Sequence, residues 1–168
     1  VQTYSKAKDY FIFLKGNKTP VAQVYDFIWN EENGSLEAVL LRKTFFEKKE
    51  RILLAQDILG WRNGIYINDN DNISYTEDIV RYKNIYNEYY TLIDSPVYDE
   101  NDIYIGEVKD YYFNEKFNSL FSIHVAGSEN IKFQNALIGY SNIISIAEES
   151  IVVKDIQKKV AELKYALV

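Results

Sequence analysis

Apolar and polar positions alternate along two stretches of this chain, and the two stretches match each other. Residues 21–41 (VAQVYDFIWNEENGSLEAVLL) align without a gap on residues 105–125 (IGEVKDYYFNEKFNSLFSIHV), with Val24/Val108, Asp26/Asp110, Asn30/Asn114, Glu31/Glu115, Ser35/Ser119 and Leu36/Leu120 identical. The apolar pairs Val21/Ile105, Phe27/Tyr111, Trp29/Phe113, Val39/Ile123 and Leu41/Val125 keep a period of two on both sides of a polar break, so each copy predicts strand, turn, strand. The spacing between partners is 84 residues, half of the 168-residue length. Two tandem units follow, and a repeat of that kind decides the fold before any other signal does.

The similarity continues downstream. Residues 52–58 followed by 64–67 align on 138–144 followed by 150–153 at a spacing of 86, which places a two-residue insertion in the intervening loop. Upstream, residues 10–14 and 91–98 each precede a turn. Every unit therefore holds five or six short strands, and curling each sheet into a small antiparallel barrel would remove its exposed edges. Two segments break the pattern. Ile79, Tyr82, Ile85 or Tyr86, Tyr89 and Leu92 or Ile93 recur at helical spacing, with Ser74 or Thr76 as the cap and Glu77 and Asp78 in the first turn. From Asp155 onward Ile156, Val160, Leu163 and Leu167 form a second such stripe, predicting a closing helix. The expected architecture is mainly β: a first barrel over residues 1–70, a connecting helical segment over 71–93, a second barrel over 94–154 and a C-terminal helix over 155–168.

Composition narrows the function. With 19 Lys and Arg against 25 Asp and Glu, the formal charge is −6, which opposes a general grip on nucleic acid. The chain has no cysteine, which excludes disulfides, thiolate metal sites and cysteine nucleophiles. No window approaches the roughly 18 apolar residues of a membrane span, and no apolar secretory core opens the chain, so a cytoplasmic location is expected. The absence of methionine implies a processed or trimmed product of a slightly longer gene. Fifteen tyrosines suit a strand-rich fold and supply surfaces for self-association, though an AT-rich genome produces the same bias.

Candidate chemistry is sparse. Asp26 and Asp110 recur at matched positions, but one carboxylate per unit falls short of a catalytic pair, and a short acid beside a hairpin entrance accepts backbone hydrogen bonds. Residues 68–72 (NDNDN) fail the EF-hand spacing, since a loop begun at Asp69 puts Ser74 where glycine belongs and Val80 where the bidentate Glu belongs. His124 is the single histidine and lacks partners for general-base or metal work. No nucleophile elbow, phosphate loop or dinucleotide fingerprint is present. The expectation is a protein that is not an enzyme and uses neither cofactor nor metal.

One basic stretch remains. Arg42, Lys43, Lys48, Lys49 and Arg51 surround Phe45 and Phe46, with Glu47 and Glu50 among them. Basic residues interleaved with aromatics can bind single-stranded RNA by stacking and phosphate contact. The competing and preferred expectation is a polar loop between two strands whose phenylalanines fold back onto the barrel or helix. Arg42, Phe45, Phe46, Lys48, Lys49 and Arg51 are the candidate partner contacts.

The Ile105-Gly106-Glu107-Val108-Lys109-Asp110 opening, the short polar turn, the strand Leu120 to Val125, an isoleucine-rich segment and a closing Ile151-Val152-Val153 together resemble the PRC-barrel family. That family is named for the cytoplasmic domain of the photosynthetic reaction-centre H subunit, and similar barrels form the C-terminal half of RimM-type ribosome maturation factors and small bacterial proteins. The resemblance runs over nearly the whole chain, twice, with Ala22 standing where the first copy should carry glycine. It implies a binding or assembly module: a protein partner, a homo-oligomer, or RNA in the ribosome-associated alternative.

Overall fold

The computed structural model describes residues 1–78, 91–127 and 135–155. A short strand β1 (Gln2–Thr3) and a single helical turn α1 (Tyr4–Ala7) lead into β2 (Phe11–Leu14), β3 (Pro20–Trp29), β4 (Leu36–Leu41), β5 (Arg51–Leu54), β6 (Gly60–Trp61), β7 (Ile65–Ile67) and β8 (Ile73–Tyr75). The second half contributes β9 (Pro96–Asp99), β10 (Tyr104–Asn114), β11 (Ser119–Gly127), β12 (Asn135–Gly139), β13 (Ile143–Ile146) and β14 (Ile151–Val153). The fold is mainly β, as the alternation predicts.

The strands form two sheets. One has the order β6-β7-β2-β3-β4-β5-β8, the other β13-β14-β9-β10-β11-β12, with β1 added to β10. Matching the strands by the sequence repeat makes the first six of each order equivalent. Two features differ from the expectation. The sheets are mixed, because β7 runs parallel to β2 and β14 parallel to β9. Neither sheet closes, since no pairing among the described residues joins β6 to β8 or β13 to β12. Strand direction explains the parallel pairs. A 3-10 turn at Ala55–Asp57 carries the chain from β5 to β6 without reversing its sense, and its counterpart at Tyr140–Asn142 does the same from β12 to β13. The hairpin that follows therefore returns beside the first strand of the unit in the same direction.

Register shows where the copies diverge in length. Val39 pairs with Leu53 and Ile123 with Ile138, so the spacing is 84 on one strand and 85 on the next. Trp61 pairs with Ile65 and Ile146 with Ile151, spacings of 85 and 86. The two extra residues of the second copy are thus one in the β4–β5 connection and one in the β6–β7 turn, in place of the single two-residue insertion expected from sequence. Both copies also share a bulge: β3 skips Val21 between Pro20 and Ala22 in pairing with β2, and β10 skips Ile105 between Tyr104 and Gly106 in pairing with β9. Each bulge bends a long strand so that it can pair on both sides.

The segment expected to begin the connecting helix is a strand at its start. Ile73–Tyr75 pairs with β5, so Ser74 lies in a ladder and caps no helix, and Thr76–Asp78 forms a 3-10 turn. Leu92 and Ile93, expected at the end of that segment, lie in a bend and turn and not in a helix, while residues 79–90 and the closing helix expected from 156 onward fall outside the described residues.

The chain divides into two compact units, residues 1–91 with 111–121, and 92–110 with 122–168. In the second, Val97, Val108, Ile123, Val125, Ile151 and Val153 are buried. The first holds an aromatic core in which Phe27, Trp29, Tyr111 and Phe113 are all buried, with ring centroids 5.5 Å apart for Phe27–Phe113 and Trp29–Phe113 and 5.8 Å for Trp29–Tyr111. Trp61 adds contacts to Phe27 and Phe113. Exchanging the repeat partners, 27 for 111 and 29 for 113, maps the Phe27–Phe113 contact onto Tyr111–Trp29. The backbone follows the same rule: Leu36 N–H donates to the Asn118 carbonyl at 2.6 Å and Leu120 N–H to the Gly34 carbonyl at 2.8 Å, with Ser35 facing Ser119. A local two-fold axis through the identical serines relates the two hairpin tips inside this unit. A second apolar cluster, Ile28, Ala38, Leu40 and Ile52 with Leu54 against it, buries the other face of the same strands. Both faces of β3 and β4 are therefore covered, where simple alternation predicts one.

Candidate functional site

The basic segment connects β4 to β5, and most of its cations are paired with carboxylates. Arg42 donates through Nε to the Val24 carbonyl at 3.1 Å and lies 3.5 Å from Asp9. Lys43 pairs with Glu50, Lys49 with Glu77 at 2.8 Å, and Arg51 Nε with Glu47 at 3.0 Å. Glu47 also accepts from the Thr44 backbone N–H at 2.8 Å, and that bond, helped by the Thr44 hydroxyl and the Arg51 guanidinium, lowers its carboxyl below the ordinary glutamate value. Among the described residues the Lys48 ammonium makes no ion pair. Exposed pairs of this kind add little to stability, but each occupies a cation that a partner would otherwise meet.

Phe45 and Phe46 stand at the tip of that loop, 96% and 91% exposed, with their rings edge to face at 5.5 Å. They do not fold back onto the sheet, which corrects that part of the preferred expectation; the helix named as the other resting place lies outside the described residues. Glu47 accepts from Thr44 N–H and pairs with Arg51, closing the turn beside Phe45 and Phe46. Of the six candidate contacts, the loop thus brings Phe45 and Phe46 together as an apolar tip and commits Arg42, Lys49 and Arg51 to carboxylates.

The repeated polar residues are structural supports. Asp26 is buried and accepts from the Phe27 N–H at 2.8 Å. Asn30 Oδ1 accepts from the N–H groups of Glu32 and Asn33, and Asn114 Oδ1 from those of Lys116 and Phe117. The same turn ends in both copies with a left-handed residue, Gly34 at φ 67° and Asn118 at φ 47°, which glycine and asparagine tolerate best. Asp69 caps the 3-10 turn Asn70–Asn72, accepting from Asp71 N–H at 3.0 Å while its own N–H donates to Asn72. His124 is half-buried on β11 between the fully buried Ile123 and Val125. Among the described residues no three His, Asp or Glu side chains converge as metal ligands, and no helix is long and apolar enough to cross a membrane.

A concave feature that sequence reasoning missed lies elsewhere in the first unit. An open cleft of about 490 Å³ is lined by Lys15, Gly16, Leu59, Gly60, Trp61, Arg62 and Tyr66. The turn after β2 supplies Lys15 and Gly16, and the β6–β7 hairpin supplies the rest. Trp61 is fixed by its indole N–H, which donates to Asn118 Oδ1 at 3.0 Å, and Tyr66 by stacking on Phe13 at 5.5 Å. These residues are scattered over two turns and share no motif.

The fold and its surface thus define a class, a doubled small mixed-sheet β module with projecting loops. Residues 84–160, which span β9 to β14, match the family model of the PRC-barrel domain. The likeness to that family is shown over this segment. No curated protein matches the chain.

Proposed function

We propose that this protein is a non-enzymatic cytoplasmic interaction module built from two PRC-barrel repeats, which holds a protein partner through the β4–β5 loop. The observation that carries the reading is the pair Phe45 and Phe46, almost wholly in water at a loop tip. Two adjacent phenylalanines so placed gain several kcal/mol from entering a partner's pocket, on the order of 1.5–3 kcal/mol each for full burial. Aromatic anchors of this sort dominate the energetics of interfaces. The match of the second half to the PRC-barrel domain supports the same reading, as does the equivalent strand order of the first.

A native-mass partner search with the wild type and with Phe45→Ser/Phe46→Ser tests it. The expected outcome is a stoichiometric complex that the double variant loses while its thermal melt stays unchanged. Absence of any complex, or a complex indifferent to the substitution, would overturn the reading. The alternative is an RNA- or ribosome-associated assembly factor using the same loop, favoured by the accessible rings and opposed by the carboxylates already seated on Arg42, Lys43, Lys49 and Arg51. It requires salt-sensitive RNA binding that disappears in Lys48→Ala/Lys49→Ala/Arg51→Ala.

A further inference from the structure

The two copies share a scaffold, so positions where their chemistry departs mark what one copy does and the other does not. At the cleft the departure is complete. Pairing of β2 with β7 and of β9 with β14, and of β6 with β7 and β13 with β14, sets Lys15 against Glu100, Gly16 against Asn101, Leu59 against Ile144, Gly60 against Ser145, Trp61 against Ile146, Arg62 against Ala147 and Tyr66 against Val152. The first copy carries two cations and two aromatic rings. The second carries no cation and no ring, and an acid replaces one lysine. The one-residue difference in the β6–β7 turn falls at the same place, between Arg62 and Gly64 in the first copy and between Ala147 and Ser150 in the second.

Within the cleft the charges are uncommitted. Arg42, Lys43, Lys49, Arg51 and Lys109 each sit on a carboxylate. Among the described residues Lys15 and Arg62 have no such partner and no carboxylate lines the cleft. Two unpaired cations facing one concavity in a chain of formal charge −6 create a local field for an anion. Trp61 and Tyr66 supply flat apolar faces beside them. Gly16, at φ +82°, and Gly60 present bare backbone with open space where a Cβ would stand, so a ligand can approach the chain closely. The volume falls within the range of about 300–1,000 Å³ typical of small-molecule sites.

We infer that this cleft binds a small planar anion, an aromatic or heteroaromatic ring carrying a phosphate or carboxylate, with Trp61 and Tyr66 taking the ring and Lys15 and Arg62 the charge. The inference is independent of the partner-binding loop, which lies between β4 and β5. It is tested by titrating the full chain with adenosine monophosphate and indole-3-acetate, which distinguish a phosphate from a carboxylate ligand, and with adenosine and inorganic phosphate separately. The readout is the indole N–H resonance of Trp61 by NMR, with that of the buried Trp29 as internal control. The expected result is a saturable shift of Trp61 with at least one of the two ring-bearing anions, and binding at least about tenfold weaker to the ring or the anion alone. Lys15→Glu/Arg62→Ala, which installs the second copy's residues at two exposed positions, should weaken it by a further tenfold or so with an unchanged near-ultraviolet dichroism spectrum. No shift with either compound, equal binding by inorganic phosphate or adenosine alone, or full affinity in the folded double variant would each overturn it.

Discussion

Gly106 sits where the second copy's long strand bends, and its backbone leaves no room for a side chain. A Cβ placed there would lie 2.0 Å from the Ala126 carbonyl oxygen and 2.7 Å from its carbon, and φ is +156°. Both obstacles are backbone, so the neighbouring strand must move to admit even a methyl group. Gly106→Ala should therefore cost about 2–4 kcal/mol in urea denaturation, whereas Ala22→Gly at the matching bulge, where φ is not positive, should cost only about 0.5–1 kcal/mol. A Gly106→Ala variant as stable as the wild type would remove close approach as the reason for glycine there. Tyr4 makes a second prediction at this scale. Burial first, and then the Asp26 carboxylate, push its phenol from 10.0 up to about 12. The unfolded chain ionises Tyr4 near pH 10 and the folded chain does not. Its contribution to stability is therefore complete below pH 10 and drains away as pH rises towards 12. Tyr4→Phe should flatten that part of the stability profile relative to the wild type, read by denaturation at stepped alkaline pH, while parallel profiles would show that Tyr4 ionises alike in both states.

Among the elements, the repeat and its strands are legible in sequence because duplication leaves identical residues at a fixed spacing. The six identities earned by the alignment include Asn30/Asn114, which hold equivalent turns, and Ser35/Ser119, which meet at a local axis. Strand direction is less legible. Nothing in Ala55-Gln56-Asp57 announces a 3-10 turn that advances the chain without reversing it, so an all-antiparallel closed barrel is the natural expectation and the mixed open sheet is what forms. The apolar run Ala38 to Leu41 did carry a readable sign of burial on both faces, since a strand with one wet face does not need it. Strong alternation in Phe27 and Trp29 masks that sign by suggesting one wet face. Ser74 shows the same limit: it is an acceptable helix cap by type, and a place in the β5 ladder overrides the preference. The cleft was illegible by motif because its residues come from two turns, and legible only as a difference between two copies whose register has first been fixed.

Across the whole molecule, the decisive fact is that compactness does not follow the order of the chain. The first unit is completed by residues 111–121, which come from the second copy's central hairpin. Tyr111 and Phe113, 1% and 0% exposed, fill its aromatic core between Phe27, Trp29 and Trp61. Removing two such side chains costs about 3–5 kcal/mol each, which is of the order of the whole stability of a small domain. A chain ending at residue 91 loses both at once, along with the hydrogen bonds from Leu36 to Asn118 and from Leu120 to Gly34. Such a fragment should show weak near-ultraviolet dichroism, bind a hydrophobic dye and melt without cooperativity. Adding residues 92–168 in trans should restore the near-ultraviolet signal and a cooperative melt, and the restoration should fail when the added piece carries Tyr111→Ala/Phe113→Ala. A fragment 1–91 that melts cooperatively alone would mean that the aromatic core closes without the second copy, and the dependence argued from Tyr111 and Phe113 would fall.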